Sequence, residues 1–247
     1  MSIKKRYIII EEKECHIHLP VKPNGYAILI LGDRNHFVNK EESLWTQHPA
    51  RKMLMTFFLE KGYTIFYAEQ DGAHWGNDQL FSVLERLVHH VRKTEIINEH
   101  IHIFAEGMGA LLALRFLKNA HMNIRSAVLF NPCLYLSEQY ELEKKNKFYY
   151  RKFIKEIRNA YGIAEKEVES LCKNQTNSIQ NMVIRNPVKV FQAIYQAPYP
   201  SVNHIQLFSK KKEEIEKEVL TTFFVPGKTI DQFKKPICKF YGSYEGN

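Results

Sequence analysis

Hydrophobic and polar positions alternate in blocks along most of this chain. Lys4 to Ile10 and Lys13 to Leu19 predict two strands joined at Glu11-Glu12, the second alternating in part through Cys15, Ile17 and Leu19. Pro23-Asn24-Gly25 marks a turn, and Tyr26 to Leu31 is then unbroken apolar, the pattern of a strand covered on both faces. Trp45 to Lys61 places Met53, Leu54, Phe57 and Phe58 at helical spacing, with Gly62 as its C-cap. Tyr63 to Ala68 predicts the next strand. A polar loop, Asp71 to Asn77, leads to a helix capped by Asp78 and running to about Thr94, with Leu80, Val83, Leu84, Leu87, Val88 and Val91 on one side. Ile101 to Phe116 reads as a short strand, a sharp turn and an apolar helix, and Ile124 to Phe130 as another strand. This alternation predicts an α/β fold: a mostly parallel sheet with helices on both faces and right-handed crossovers. Sites in such sheets lie beyond the strands' C-terminal ends, here the loops at Gly32, Glu69, Glu106 and Asn131.

The pattern changes from about Ser137 to Pro200. Tyr150, Phe153, Ile154, Ile157 and Tyr161 form a helical stripe, and Lys144, Lys145, Lys147, Arg151, Lys152, Lys155 and Arg158 occupy the other side. We read residues 137–200 as a helical lid inserted between residues 1–136 and 201–247 of the α/β core. The basic stripe is expected to be a solvated face, with contact to an anionic membrane or acidic partner as the alternative. Ser209 to Val219 predicts a solvated helix, and Pro236 to Tyr241 one more strand.

Composition narrows the class. A chain of 247 residues, 45% hydrophobic and 25% charged, suits one globular α/β domain with a sizeable core. Its net charge of +8 favours acidic partners or plain solubility, and no zinc-finger or RNA-recognition motif accompanies it. Apolar runs fall short of the ~18 residues of a membrane span. The N-terminal apolar run, Tyr7 to Ile10, is too short for a signal peptide, so a cytoplasmic protein is expected. Cys15, Cys133, Cys172 and Cys238 are scattered without a C-x-x-C pair, which fits reduced thiols. His89-His90 and His100/His102 lack metal-ligand spacing, and neither a metal nor another cofactor is expected.

Four stretches carry a family resemblance. Ala105-Glu106-Gly107-Met108-Gly109 resembles the nucleophile elbow of the α/β-hydrolases, whose small outer residues let strand and helix pack closely around a strained turn. Leu31-Gly32 stands where the family has His-Gly before its oxyanion loop. Asp71 to Asn77 is similar to the family's Asp-x-Arg-Gly-x-Gly-x-Ser loop, and Pro236 to Glu245 to the late strand and turn that present the triad acid. The resemblance covers Tyr26 to the C-terminus and implies an α/β-hydrolase fold of the lipase, esterase or peptidase kind. It also puts Gly107 at the nucleophile position and Glu245 at that of the acid. Glycine has nothing to attack with. Because only Gly246 and Asn247 follow Glu245, the family's last strand, histidine loop and closing helix are expected to be missing, through an early natural end or a fragment.

The resemblance gathers a ligand pocket from Gly32, Asp33, Arg34, His74, Glu106, Gly107, Met108 and Cys133. Asp33 stands in the loop whose N–H groups would bind an oxyanion, where a carboxylate would oppose developing negative charge. Substitutes for the missing triad are Cys133 as nucleophile, Glu106 as general acid, and His74, with His36 on a loop at the same edge as a second histidine for a catalytic or ligand role. The bland alternative for each is a buried thiol, a satisfied carboxylate and ordinary loop histidines. The leading expectation is a hydrolase relative that no longer catalyses and works by binding a small molecule, a peptide or a protein. An active hydrolase of esters, thioesters or peptides with an atypical nucleophile comes second. A basic scaffold on membrane or nucleic acid comes third, the membrane ahead of the nucleic acid.

Overall fold

A computed structural model describes residues 4–182, 185–199 and 219–246. Strands β1 (Lys4–Ile10), β2 (Lys13–Leu19), β3 (Ala27–Leu31), β4 (Thr64–Ala68), β5 (Ile101–Glu106), β6 (Ile124–Phe130), β7 (Val188–Ala193) and β8 (Val219–Phe224) form one sheet. Its order is β1-β2-β4-β3-β5-β6-β7-β8. The first hairpin joins β4 in antiparallel fashion, and every later pairing is parallel. β3 and β4 are buried along their whole length, as unbroken apolar runs require.

Helices cover both faces. α1 (Leu44–Gln47), α2 (Pro49–Glu60) and the C-terminal α8 (Lys234–Gly242) are joined to one face by Trp45, Phe58, Phe104 and Tyr241. α3 (Asp78–Thr94) and α4 (Gly109–Lys118) pack on the other through Leu84, Leu87, Val88 and Leu112. Between β6 and β7 come α5 (Leu136–Glu143), α6 (Lys147–Tyr161) and α7 (Val168–Gln180). Their apolar sides meet Trp75, Met108 and Leu111 in a third core, so the inserted helices sit over the elbow.

Several expectations need correction. The helix foreseen over 45–61 is two helices, because Pro49 drives His48 out of the helical region (φ −76°, ψ 121°) and then starts α2. Asn77 rather than Asp78 caps α3, its side chain accepting from the Leu80 N–H. Segment 137–200 is not wholly an insertion, since β7 lies within it and pairs with β6 and β8. Pro236 to Tyr241 is helix, not strand. Phe233, Ile237, Phe240 and Tyr241 are buried at helical spacing, and Pro236 sits in the first turn, where a missing N–H costs nothing. The last strand and closing helix expected to be missing are thus both in place, as β8 and α8. Most of the predicted helix Ser209 to Val219 lies outside the described residues. Among those residues no helix is long and apolar enough to cross a membrane.

Candidate active site

The elbow forms as the sequence foretells. β5 runs into Gly107 at φ +55°, a left-handed conformation that favours glycine, and α4 begins two residues later. Gly107 N–H donates to Phe130 O at 3.0 Å, and Gly107 O accepts from Cys133 N–H at 2.9 Å, which ties the turn to the end of β6. A Cβ on Gly109 would lie 2.5 Å from Leu31 O, so α4 starts in contact with the end of β3. The turn therefore stands on the sheet's C-terminal rim.

Asp33 decides what this turn does. Its carboxylate points inward, where Oδ1 accepts from the Met108 N–H at 3.1 Å and from the Tyr199 hydroxyl at 2.8 Å. Met108 follows the nucleophile position, and its N–H is the donor an elbow offers to an oxyanion. A Cβ built on Gly107 would meet Asp33 Cγ at 2.3 Å and both carboxylate oxygens at 2.5 Å. The space of a nucleophile side chain is occupied by a carboxylate from the neighbouring loop. An anion there is well placed, because Met108 is the N-cap of α4 and the helix's positive end faces it. A second possible donor, the Gly32 N–H, is taken at 2.9 Å by the Gln70 side chain.

The other foreseen residues gather at this rim, but as packed structure. Glu106 is clamped by Arg51, with Nε–Oε2 at 3.0 Å and Nη2–Oε1 at 2.5 Å. Burial raises its carboxyl above the usual range and Arg51 opposes the rise, so the group is a satisfied ion pair. Arg51→Met, which strands this largely buried carboxylate, is expected to cost about 3 kcal/mol in urea unfolding. His74 donates from Nε2 to Gly32 O at 3.3 Å and accepts on Nδ1 from Gly76 N–H at 3.1 Å, leaving no nitrogen for a substrate. Burial lowers its pKa to about 4. His36 is buried against Gly32 and Tyr67, and burial lowers it to about 3. Burial, with the Asp33 charge nearby, pushes the Cys133 thiol well above its ordinary range, the opposite of an activated nucleophile. Arg34 leaves the site for the inserted helices, stacking over Trp75 and meeting Glu156 at 3.3 Å.

Glu245 does not stand at an acid position beside the elbow. It lies past α8, near the opposite end of β5, and meets His102 Nε2 at 3.2 Å and the Tyr63 hydroxyl at 2.5 Å. Five residues of strand, roughly 16 Å, separate His102 from Gly107. The misplacement follows from the helix at 234–242, which carries the chain back beneath the sheet. His102 Nδ1 also meets Ser126 Oγ at 2.8 Å. This Ser-His-Glu set is interior, with Ser126 and His102 both fully buried, and ties the C-terminal segment to the sheet.

Sequence reasoning missed Tyr199, Arg51, Gln70 and the ties between inserted helices and rim. Trp75 Nε1 donates to Glu156 at 3.1 Å, Tyr161 donates to Trp75 O at 2.8 Å, and Gln175 donates to the Tyr161 oxygen at 2.6 Å. Their partners lie 81, 86 and 14 residues apart, and no local pattern marks them. Among the described residues, the loop after β7 (194–199) and that after β8 (225–229) contain no histidine, aspartate or glutamate.

No family model matches this sequence, and neither does any curated protein. Solved structures do match in shape. An esterase of Pyrococcus furiosus aligns at 14% identity over 99% of this chain and 91% of its own, with a TM-score of 0.66. An acylaminoacyl peptidase of Pyrococcus horikoshii aligns at 14% identity over 99% of this chain and 41% of its own, with a TM-score of 0.70. Est1E from Butyrivibrio proteoclasticus aligns at 12% over 98% and 97%, with a TM-score of 0.64. The chain has the α/β-hydrolase fold, shared with these esterases and peptidases.

Proposed function

We propose that this protein keeps the α/β-hydrolase frame, has lost serine-hydrolase catalysis and works by binding. The observation that carries this reading is Asp33, whose carboxylate fills the place of the nucleophile side chain and takes the Met108 N–H. A hydrolase needs that N–H free for the oxyanion and an attacking atom beside it. Gly107 supplies no attacking atom, and the described loops after β7 and β8 supply neither base nor acid. The bound molecule would be a small ligand, a peptide or another protein. Because the Asp33 carboxylate takes the nucleophile's place, with the Tyr199 hydroxyl bonded to it, binding falls to surfaces outside the elbow turn itself.

Fluorophosphonate labelling and p-nitrophenyl acetate hydrolysis test the loss of catalysis on the purified protein. The expected result is no covalent adduct by intact mass and no turnover above the heat-denatured control. A stoichiometric adduct, or hydrolysis that disappears in Cys133→Ala, would overturn the proposal.

A further inference from the structure

The outer face of α6 carries charge out of proportion to its size. Residues 144–158 hold seven lysines and arginines against one acid, Glu156, a net of +6 in a chain whose total is +8. That one acid is turned inward, to Trp75 and Arg34. Lys145, Lys147, Arg151, Lys155 and Arg158 form no salt bridge among the described residues. The helix has two stripes of the same period. Tyr150, Phe153, Ile154, Ile157 and Tyr161 face the core at i, i+3, i+4, i+7 and i+11. Phe148, Arg151, Lys152 and Lys155 repeat the i, i+3, i+4, i+7 spacing on the opposite side. Phe148 lies in line with those cations and is 72% exposed, with Tyr149 beside it at 55%. What sets this face apart is that the exposed aromatic pair lies on the same helix as the densest cluster of unpaired cations among the described residues.

We propose that this face docks on an anionic lipid bilayer, with Phe148 and Tyr149 entering the headgroup layer and the cations lying against acidic headgroups. Aromatic side chains favour that layer, and each lysine or arginine held near an anionic surface adds attraction. A nucleic-acid duplex would use the charges but, with its bases already stacked on one another, would give Phe148 no apolar medium. The inference is independent of the state of the elbow, since none of these side chains touches it.

Co-sedimentation of the full chain with vesicles tests it, using phosphatidylcholine alone and a two-to-one mixture with phosphatidylserine. We expect capture by the mixed vesicles only, and its loss when ionic strength rises from about 0.1 M to about 1 M. Arg151→Gln with Lys155→Gln should weaken binding by about tenfold or more, and Phe148→Ser by about tenfold. Trp45 and Trp75 are both fully buried, so Phe148→Trp adds a surface reporter whose emission should shift to the blue with mixed vesicles. All three variants alter exposed positions and should keep the parent melting temperature. The proposal is overturned if mixed vesicles do not capture the protein at low salt, or if the reporter emission stays unshifted. It is equally overturned if Phe148→Ser binds as well as the parent, or if the same face prefers duplex DNA and ignores that substitution.

Discussion

Gly107→Ser is expected to weaken the fold rather than to restore an esterase. The new Cβ would sit 2.3–2.5 Å from three atoms of the Asp33 carboxylate, closer than real contacts allow. Asp33 must then swing out, giving up its hydrogen bonds from Met108 and Tyr199. Overpacking of this kind costs about 1–3 kcal/mol, and a non-glycine residue held at φ +55° adds on the order of 1 kcal/mol more. Together these should lower the melting temperature by roughly 5–15 °C in a domain of this size. A double-mutant cycle separates the clash from the backbone term. Asp33→Ala alone loses two hydrogen bonds and is destabilising by about 1–3 kcal/mol. In the Asp33→Ala background, however, serine at 107 should cost at least 1 kcal/mol less than it does in the parent. Additive effects would show that the two residues are not matched, and measurable ester hydrolysis in either serine variant would show that a base survives.

This pairing marks where the sequence stopped being informative. The elbow was legible because its requirements are local: an apolar strand, a small residue on each side of a strained turn, then an apolar helix. β3, β4, β5 and β6 were legible for the same reason, as continuous apolar runs of strand length. The presence of Asp33 in the loop was readable, but not its direction, which depends on Tyr199, a residue 166 positions away. The error at 234–242 has a different origin. Ile237 to Tyr241 is short, apolar and aromatic, and periodicity cannot separate a buried strand from a buried helix over so few residues. Phe233 and Tyr244, one turn to either side, complete the helical stripe. Once that helix is recognised, Glu245 moves from the rim to the base of the sheet. A single misread element thus displaced the supposed triad acid and hid the helix at 234–242.

Acidification from neutral pH to pH 5 should remove on the order of 5 kcal/mol of stability, a large share of the 5–15 kcal/mol typical of a domain. The source is a set of histidines folded into places where they cannot hold a proton. His18 hydrogen-bonds the Tyr67 hydroxyl at 2.8 Å, His36 packs against Gly32, and His74 is held by Gly32 and Gly76, each no more than 2% exposed. Burial lowers His18 and His36 to about 3 and His74 to about 4. In the unfolded chain each titrates near 6.5. Their contribution is therefore complete above about pH 6.5 and is lost as pH falls, because the unfolded state takes up protons that the folded state refuses. Each group removes about 1.4 kcal/mol per pH unit below that point, and three groups over roughly one and a half units give the stated loss. His16 and His102, also lowered first of all by burial, act in the same direction. Glu106, raised first of all by burial, acts the other way, but it is one group against five lowered histidines. Urea midpoints measured from pH 7.5 to 5 should fall steeply, and His18→Phe should reduce the slope by about one proton. A midpoint that stays flat across that range would mean that these histidines take up protons while folded, and the packing that buries them would have to open to water.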